Sequence, residues 1–274
     1  MISVDGFEAK FWTFPGGERS VKLTPRQEFY VGNIVVRMAF KGSDDLMDMM
    51  LTVNALRNMY GQTRKISLNV PYLPFSRQDR VMTDGESFGL QAAVAMINLC
   101  NFDEVTTMDV HSDVASALFP AGVFYSIPQE SVWKTTIDSI VAFSRRDRTV
   151  LISPDAGALK KIYKLAKGTD LRVVEAKKVR DVATGQITKT DIEASELINV
   201  DTAIIVDDIC DGGRTFVELA KEIRRGGYQG DLILCVTHGI FSKGLDVFKG
   251  EEGFDRIYTM NNINHVDLVD FNRV

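Results

Sequence analysis

Residues 203–215 read Ala-Ile-Ile-Val-Asp-Asp-Ile-Cys-Asp-Gly-Gly-Arg-Thr. The apolar run at the start of this stretch predicts a strand buried on both faces, as in a parallel sheet covered by helices. Asp207 and Asp208 follow at the carboxyl end of the strand, where open α/β sheets bind their ligands. Helical spacing of apolar residues begins just after Thr215. The stretch therefore predicts an α/β fold with a ligand site at this strand end.

The segment from Asp211 to Thr215 predicts a phosphate-binding loop. A glycine-bearing loop at a helix start turns backbone N–H groups, together with the positive end of the helix, toward an anion. The two preceding carboxylates suit two vicinal hydroxyls, as on a ribose. Glycine turns between strand and helix are common in α/β proteins for structural reasons alone. The combination Asp-Asp with Asp-Gly-Gly-x-Thr is rarer and indicates a sugar-phosphate site.

Strands and helices alternate through both halves of the chain, which predicts two similar α/β domains. The charged run Arg145-Arg146-Asp147-Arg148 is the best candidate boundary, although a solvated helix end fits it equally well. We therefore expect domains at residues 1–145 and 146–274. An alternating pattern from Val182 to Ile192, around Thr184-Gly185, predicts a hairpin flap in the second domain.

Composition excludes several classes of function. A net charge of −5 argues against general nucleic-acid binding, so a polyanionic ligand must be held by a local basic cluster. No apolar run is long enough to span a bilayer, and the first residues do not read as a secretory signal. Three widely spaced cysteines suggest neither a disulfide framework nor a zinc site. We therefore expect a cytoplasmic protein with no membrane partner.

Other strand ends also carry groups that bind phosphates or metals. His111 and Asp155 each follow a predicted strand, where each is either a ligand of substrate or Mg²⁺ or a structural residue, Asp155 as a helix cap. The basic clusters 77–80 (Arg-Gln-Asp-Arg) and 177–180 (Lys-Lys-Val-Arg) directly follow apolar strands. Each cluster is either a solvated charge run or part of a site. Phosphoryl transfer needs such cations around the moving phosphate and a metal bridging its oxygens.

The assembled motifs resemble those of the ribose-phosphate diphosphokinase family, the PRPP synthetases, over nearly the whole chain from Phe14 to about Met260. The motifs that carry the resemblance are Pro71-Tyr72-Leu73-Pro74-Phe75-Ser76-Arg77-Gln78-Asp79, Met108-Asp109-Val110-His111, Ser153-Pro154-Asp155-Ala156-Gly157, Val206-Asp207-Asp208-Ile209 and Thr237-His238-Gly239-Ile240-Phe241-Ser242. The resemblance implies two phosphoribosyltransferase-like (Rossmann-like) α/β domains, with mostly parallel sheets flanked by helices and with ATP and Mg²⁺ between them. It further implies that the anomeric hydroxyl of ribose 5-phosphate attacks the β-phosphorus of ATP, giving PRPP and AMP.

The resemblance also implies roles for individual residues. The residues expected to bind ATP are Phe14, Glu18, Arg77, Gln78 and Asp79. Phe14 is expected to stack on adenine across the subunit interface of a homo-oligomer. Those expected to organise Mg²⁺ are His111 and Asp155, and those expected to act in catalysis are His111 and the flap residues Lys177 and Arg180. Those expected to bind the ribose phosphate are Asp207, Asp208, Asp211, Gly212, Gly213, Arg214 and Thr215.

Some positions depart from the family pattern. Gly16 stands where the family usually has Asp or Asn, and Val179 stands where it has arginine, with Arg180 one place later. The phosphate loop is usually Asp-Thr-Ala/Cys-Gly-Thr, whereas this chain has glycine at 212 and arginine at 214. The family's longer closing segment has no counterpart after Met260, so its hexamer and its allosteric control are not carried over to this chain.

The sequence leaves alternatives to transfer onto ribose 5-phosphate. Gly212 opens space beside the loop and Arg214 adds a planar cation, which would suit a larger acceptor such as ADP-ribose. A type I phosphoribosyltransferase shares the Asp-Asp sugar loop but needs no ATP site, so Phe14 and Arg77-Gln78 argue against it. A non-catalytic regulatory homologue is disfavoured because His111, Asp155, Lys177 and the Asp207-Asp208 pair are all retained.

Overall fold

The computed structural model describes residues 1–26, 32–180 and 187–264, with the backbone alone for 177–180 and 187–191. The elements of the first half are β1 (Ile2–Val4), β2 (Phe7–Glu8), β3 (Lys10–Thr13), β4 (Arg19–Lys22), β5 (Ile34–Met38), α1 (Asp44–Tyr60), β6 (Ile66–Asn69), α2 (Gly89–Leu99), β7 (Glu104–Met108), α3 (Val114–Leu118) and β8 (Phe124–Ile127). Those of the second half are α4 (Gln129–Ala142), β9 (Thr149–Ser153), α5 (Leu159–Thr169), β10 (Arg172–Glu175), β11 (Lys177–Arg180), β12 (Ile187–Asp191), β13 (Thr202–Cys210), α6 (Arg214–Arg225), β14 (Asp231–Gly239) and β15 (Arg256–Asn262). The chain divides into two compact units, Met1–Ile127 and Pro128–Val274.

The first unit is built on a sheet with the strand order β2-β1-β5-β6-β7-β8. Strands β5 to β8 run parallel, and β1 joins β5 antiparallel. Alternate residues of the central strands, such as Val36 and Leu68, lie in one apolar core with the buried residues of α1 and α2. A separate two-stranded hairpin, β3 and β4, is joined to α1 by a bidentate ion pair between Arg19 and the buried Asp48. This parallel arrangement places the ends of β6 and β7 at the same edge of the sheet.

The second unit contains an entirely parallel sheet with the strand order β10-β9-β13-β14-β15. Successive residues of β13 contribute to two different cores. Ala203 and Ile205 lie in the core that includes α6, whereas Ile204 and Val206 lie in the core that includes α4 and α5. Because strand residues alternate between faces, an unbroken apolar run is what a sheet covered on both sides requires. The α/β fold class predicted from the sequence is confirmed.

The boundary between the units precedes α4, whereas the sequence analysis placed it after this helix, at residue 145. Helix α4 belongs to the second unit because its apolar face packs there. Trp133 and Ile137 are fully buried in one core with residues of α5, β13 and β14. The indole Nε1 of Trp133 also donates a hydrogen bond of 2.9 Å to Oγ1 of Thr237, on β14. The charged run 145–148 therefore lies within the second unit, where residues 146–148 form a short 3-10 turn between α4 and β9, and it is not a linker.

The cysteines of the structure are thiols that are buried in the cores. Cys100, Cys210 and Cys235 are free of disulfide bonds. Burial raises the pKa of the Cys100 thiol to about 11, and it raises the pKa of the fully buried Cys235 thiol further. These two thiols therefore stay protonated near neutral pH. In the part of the chain that the structure describes, every helix is too short or too polar to cross a membrane.

Replacing Trp133 tests the assignment of α4 to the second unit. We expect Trp133→Ala to lower the free energy of unfolding by about 3–5 kcal/mol, because it leaves a cavity and removes the partner of Thr237. Chemical denaturation followed by circular dichroism measures this loss. Phe143→Ala is the control, since Phe143 follows the same helix with 93% of its surface exposed, and its removal should cost little. Equal effects of both substitutions would contradict the assignment.

Candidate active site

The two adjacent carboxylates lie inside the last part of strand β13, not after it. The strand continues to Cys210 because β14 pairs with it as far as Cys210 and Gly239. Asp207 is partly exposed and Asp208 is 5% exposed. The backbone N–H of Asp208 donates to Oδ1 of Asp207 at 2.9 Å. Neighbouring residues of a strand point to opposite faces, so one extended backbone presents two carboxylates at the edge of the sheet.

Lys161, on α5, is the cationic partner of this pair. Its Nζ lies 3.2 Å from Oδ2 of Asp208, in an ion pair whose acid is nearly buried. A buried carboxylate needs such a partner to remain charged. No motif in the sequence identified Lys161, because its role depends on how α5 packs against the sheet.

The carboxyl of Asp207 resists ionisation. Burial raises the pKa of Asp207 well above the usual range of an aspartate, and the charges of Asp208 and Asp155 act in the same direction. Like charges held close together in a low-dielectric region raise the free energy of the doubly ionised state. Hydroxyl donors of a bound sugar would relieve this repulsion.

Asp155 closes the turn that precedes helix α5. Its Oδ1 accepts hydrogen bonds from the backbone N–H groups of Gly157 and Ala158, at 2.9 and 3.2 Å, just before α5 begins at Leu159. These bonds form a side-chain turn before the helix, whose N-cap position is Ala158, without a side-chain cap. Asp155 therefore shapes the turn rather than capping α5, and its role as a Mg²⁺ ligand remains a prediction.

The predicted phosphate loop connects β13 to α6. Gly213 adopts φ of +76°, and a Cβ at this position would overlap the ring of the buried Phe248. Only glycine fits both requirements. The helix begins at Arg214, one residue earlier than the sequence indicated, and the N–H of Val217 donates to the carbonyl of Gly213. The loop thus ends directly at a helix N-terminus, which favours an anion there.

Arg214 does not point into the loop. Its side chain is 85% exposed, and its Nε lies 2.7 Å from Oε1 of Glu218, one helical turn further along α6. An exposed pair at this spacing contributes little to stability and is easily broken. Phosphate binding by Arg214 therefore remains a prediction that requires this guanidinium to leave Glu218.

Three of the five predicted ATP residues, Arg77, Gln78 and Asp79, line one cleft of about 470 Å³ in the first unit. Its lining residues are Arg77, Gln78, Asp79, Arg80, Met82, Glu86, Ser87 and His111. Asp79 is buried, and the hydrogen bond from Arg80 lowers the pKa of its carboxyl, with Ser112 acting in the same direction. Asp79 thus holds Arg80 at the cleft. Arg80, which was not among the predicted ATP ligands, becomes a further candidate to bind phosphate.

Phe14 and Glu18 lie in the turn of the β3–β4 hairpin. The N–H of Phe14 donates to the carbonyl of Glu18 at 2.8 Å and closes the turn. Both side chains are exposed, with 47% of Phe14 reaching solvent. An exposed aromatic side chain on a short hairpin is available to stack on a base, and adenine binding by these two residues remains a prediction.

A hairpin is present in this region, but its first strand, Lys177–Arg180, precedes the range from Val182 to Ile192 that the sequence indicated. Strand β11 pairs antiparallel with β12, with an irregularity between Val179 and Arg180. The backbone of Lys177 lies opposite Asp191. Residues 181–186, which include part of the predicted pattern around Thr184-Gly185, lie outside the described residues. The catalytic roles of Lys177 and Arg180 remain predictions.

His238 is a structural histidine. It is 2% exposed in the last part of β14, and its Nδ1 lies 3.2 Å from Nδ2 of Asn261 on β15. The amide of Asn261 donates this hydrogen bond, which makes Nδ1 of His238 the acceptor. His111, in contrast, is exposed at the cleft of the first unit.

A metal ion would need substrate oxygens to complete its coordination. Among the described side chains, no group of three or more His, Cys, Asp or Glu residues could hold a metal ion by itself. Mg²⁺ prefers oxygen ligands and is usually held by one or two carboxylates, several waters and substrate phosphates. The carboxylate of Asp155 at a strand end fits such a site, and His111, its predicted partner, belongs to the other unit.

Comparison with known proteins supports the class that this geometry defines. A parallel sheet with an acidic strand end and a glycine loop at the next helix is a phosphoribosyltransferase-type domain, and the model of the phosphoribosyl transferase domain family matches residues 133–268. The phosphoribosylpyrophosphate synthetase of Mycobacterium smegmatis has the same fold, with a TM-score of 0.70 at 19% identity over 94% of this chain and 82% of that chain.

Two curated relatives narrow the class to a family. The ribose-phosphate pyrophosphokinase of Pyrococcus furiosus is 29% identical over 84% of this chain and 77% of its own length. The enzyme of the same name from Thermosipho africanus is 26% identical over 94% of this chain and 78% of its own length. The chain is similar to ribose-phosphate pyrophosphokinases over most of its length, as its motifs predicted, and it is an enzyme of the transferase class.

The raised pKa of Asp207 predicts how stability depends on pH. A carboxyl with a raised pKa is bound to its proton more tightly in the folded state, so wild-type stability falls as the pH rises through that pKa. Asp207→Asn removes the ionisation but keeps an oxygen acceptor for the N–H of Asp208. We expect this variant to have a higher melting temperature than the wild type at neutral pH, and we expect the difference to shrink in acid. Each kcal/mol of unfolding free energy corresponds to about 2–4 °C in melting temperature.

Thermal unfolding of wild type and Asp207→Asn between mildly acidic and mildly alkaline pH measures this difference. Glu251→Gln, on the exposed surface, is the matched control for loss of one carboxylate. Parallel curves of melting temperature against pH for wild type and Asp207→Asn would show that Asp207 does not ionise unfavourably.

Proposed function

We propose that the protein transfers the β,γ-diphosphate of ATP to the anomeric hydroxyl of ribose 5-phosphate, giving PRPP and AMP. One observation carries the proposal: the carboxylates of Asp207 and Asp208 lead directly into the loop that opens α6. This order suits a sugar that presents two vicinal hydroxyls and, two carbons further along, a phosphate. The names of the relatives support the same reaction.

In this reaction the sugar oxygen forms a bond to the β-phosphorus, and the bond from that phosphorus to the α-bridging oxygen breaks. The hydroxyl proton is lost, and AMP leaves with the bridging oxygen. Asp207 and Asp208 would accept hydrogen bonds from the ribose hydroxyls, while Lys161 stays paired with Asp208. The N–H groups from Gly212 to Thr215 would hold the 5-phosphate. Together they fix the direction in which the anomeric hydroxyl attacks.

The ATP side of the reaction is proposed for the cleft of the first unit. Arg77, Gln78 and Arg80 surround this cleft together with His111. A single arginine guanidinium can bind two phosphate oxygens at once, and it remains charged at all working pH values. Bound Mg²⁺ supplies charge neutralisation on the phosphate oxygens, and His111 and Asp155 would hold it. We propose Phe14 and Glu18 as adenine contacts across the interface of a homo-oligomer, which sedimentation of the protein with and without ATP would test.

The location proposed for this enzyme is the cytoplasm. The buried, disulfide-free thiols of Cys100, Cys210 and Cys235 suit a reducing compartment, in which ATP is also available. Fractionation of cells that produce the tagged protein would test this location.

Identification of the products tests the reaction directly. We expect incubation with ATP, Mg²⁺ and ribose 5-phosphate to give AMP and PRPP in equal amounts, detected by mass. ATP labelled at the γ-phosphate should deliver its label to the sugar product, because the diphosphate moves as a unit. Formation of ADP with a sugar that has gained one phosphate, a ribose bisphosphate, or no AMP at all, would contradict the proposal.

The flap lysine provides a second test. If Lys177 neutralises charge on the moving diphosphate, Lys177→Ala should lower kcat by roughly 10²–10³ and change the affinity for ATP much less, as expected for one lost electrostatic donor. Lys178→Ala, the neighbouring position of the same strand, is the matched control. Steady-state rates and equilibrium binding of ATP give the two quantities. Near-normal turnover of Lys177→Ala would exclude Lys177 and make Lys178 and Arg180 the next candidates.

A further inference from the structure

The phosphate loop has a neighbouring cation that no sequence motif identified. Lys243 follows β14, and its side chain lies beside Gly212. A Cβ on Gly212 would lie 3.5 Å from Cε and 3.6 Å from Cδ of Lys243, and 3.7 Å from Oγ of Ser242. The space beside Gly212, which the sequence analysis expected to be open, is therefore bordered by a lysine and a hydroxyl.

The backbone holds Lys243 in this place. The N–H groups of Ile240 and Phe241 both donate to the carbonyl of Cys210, and the N–H of Ser242 donates to the carbonyl of Asp211. The N–H of Gly244 donates to the carbonyl of Phe241 and closes a turn around Lys243. The segment after β14 is thus fastened to the phosphate loop by its main chain. The flexible stem of Lys243 moves its ammonium group over a short range from a fixed base.

Gly212 determines whether the lysine stem fits beside the loop. A single methyl group would meet the Lys243 stem at ordinary contact distance, so alanine fits at position 212. A threonine adds a hydroxyl and a methyl group beyond that carbon, and one of them would displace the stem or Ser242. Glycine at 212 and lysine at 243 therefore act as a pair.

The charge of Lys243 exceeds what one phosphate in the loop needs. The backbone N–H groups of the loop and the start of α6 already suit one phosphate group. Arg214 is paired with Glu218 on the exposed side of α6. Lys243 is exposed at the border of the loop, beside Gly212. An ammonium at that border suits an anionic extension of the acceptor rather than an apolar one.

We propose that Lys243 binds a second phosphate, so that the site accepts a ribose whose 5-phosphate is esterified to a further phosphate. The acceptor class is a nucleoside diphosphate sugar that has a free anomeric hydroxyl. The proposal rests on the proposed function, because it extends the acceptor of the same transfer. Lys243 acts here in specificity and takes no part in bond formation.

The experiment compares two acceptors in the full-length protein. ADP-ribose and ribose 5-phosphate are each titrated with ATP and Mg²⁺, in wild type, Lys243→Ala and Lys243→Arg. We expect Lys243→Ala to lower kcat/KM for ADP-ribose by about tenfold through KM, as for one lost charge-assisted hydrogen bond, and to change the value for ribose 5-phosphate by about twofold at most. Lys243→Arg should retain most of the activity with ADP-ribose. Lys249→Ala, a loss of charge elsewhere in the same segment, should leave both values unchanged.

Calorimetric titration of ADP-ribose without ATP separates the two proposals. Binding that weakens in Lys243→Ala and in Gly212→Thr, in a protein that transfers diphosphate to no acceptor, would support Lys243 and overturn the proposed function. Transfer to ribose 5-phosphate with no binding of ADP-ribose would overturn the role of Lys243 and leave the function intact. Equal losses with both acceptors in Lys243→Ala would also overturn it, because Lys243 would then bind the phosphate that they share.

Discussion

Two carboxylates held side by side at the end of a buried strand are the constraint on which the second unit depends. Asp207 and Asp208 repel one another, and burial raises the free energy of their ionised forms. The fold compensates with an ion pair from Lys161 and a backbone N–H, and the compensation is unequal between the two acids. The strand tolerates this arrangement because the apolar residues before it fill two cores. The free energy gained by burying the apolar residues of the sheet thus offsets the cost of placing two acidic residues at its edge, where a polar ligand can bind.

Local patterns in the sequence were sufficient for the parts of the fold that depend on neighbouring residues. Short stretches of sequence predict the apolar run of β13, the glycine turn into α6 and the presence of a flap hairpin. The position of α4 was not predictable in this way, because the burial of Trp133 depends on β14, which is distant in sequence. The length of β13 likewise depends on its pairing with β14.

The difference between local patterns and long-range packing also explains which candidate site residues the sequence analysis missed. Asp207, Asp208 and the loop from 211 to 215 belong to one continuous motif, whereas Lys161 and Lys243 reach that motif from other elements. A lysine on a helix or a turn resembles any solvated lysine until the packing is known. In a protein with a net charge of −5, such cations lie where a polyanion must bind, and the rest of the surface repels it.

The predicted phosphate loop has a fixed part at Gly213, which contacts Phe248, and an adjustable part at Gly212 beside Lys243. At Gly213 the aromatic ring and the backbone angle together exclude every side chain, so the floor of the loop is the same whatever ligand it holds. At Gly212 and Lys243 the limits come from side-chain size and charge alone. If Lys243 selects the acceptor as proposed, a lineage that inherits this loop could change its substrate by exchanging two residues at the border, without rebuilding the turn at Gly213. Selection for a new acceptor would leave its record at positions 212 and 243 and none at 213.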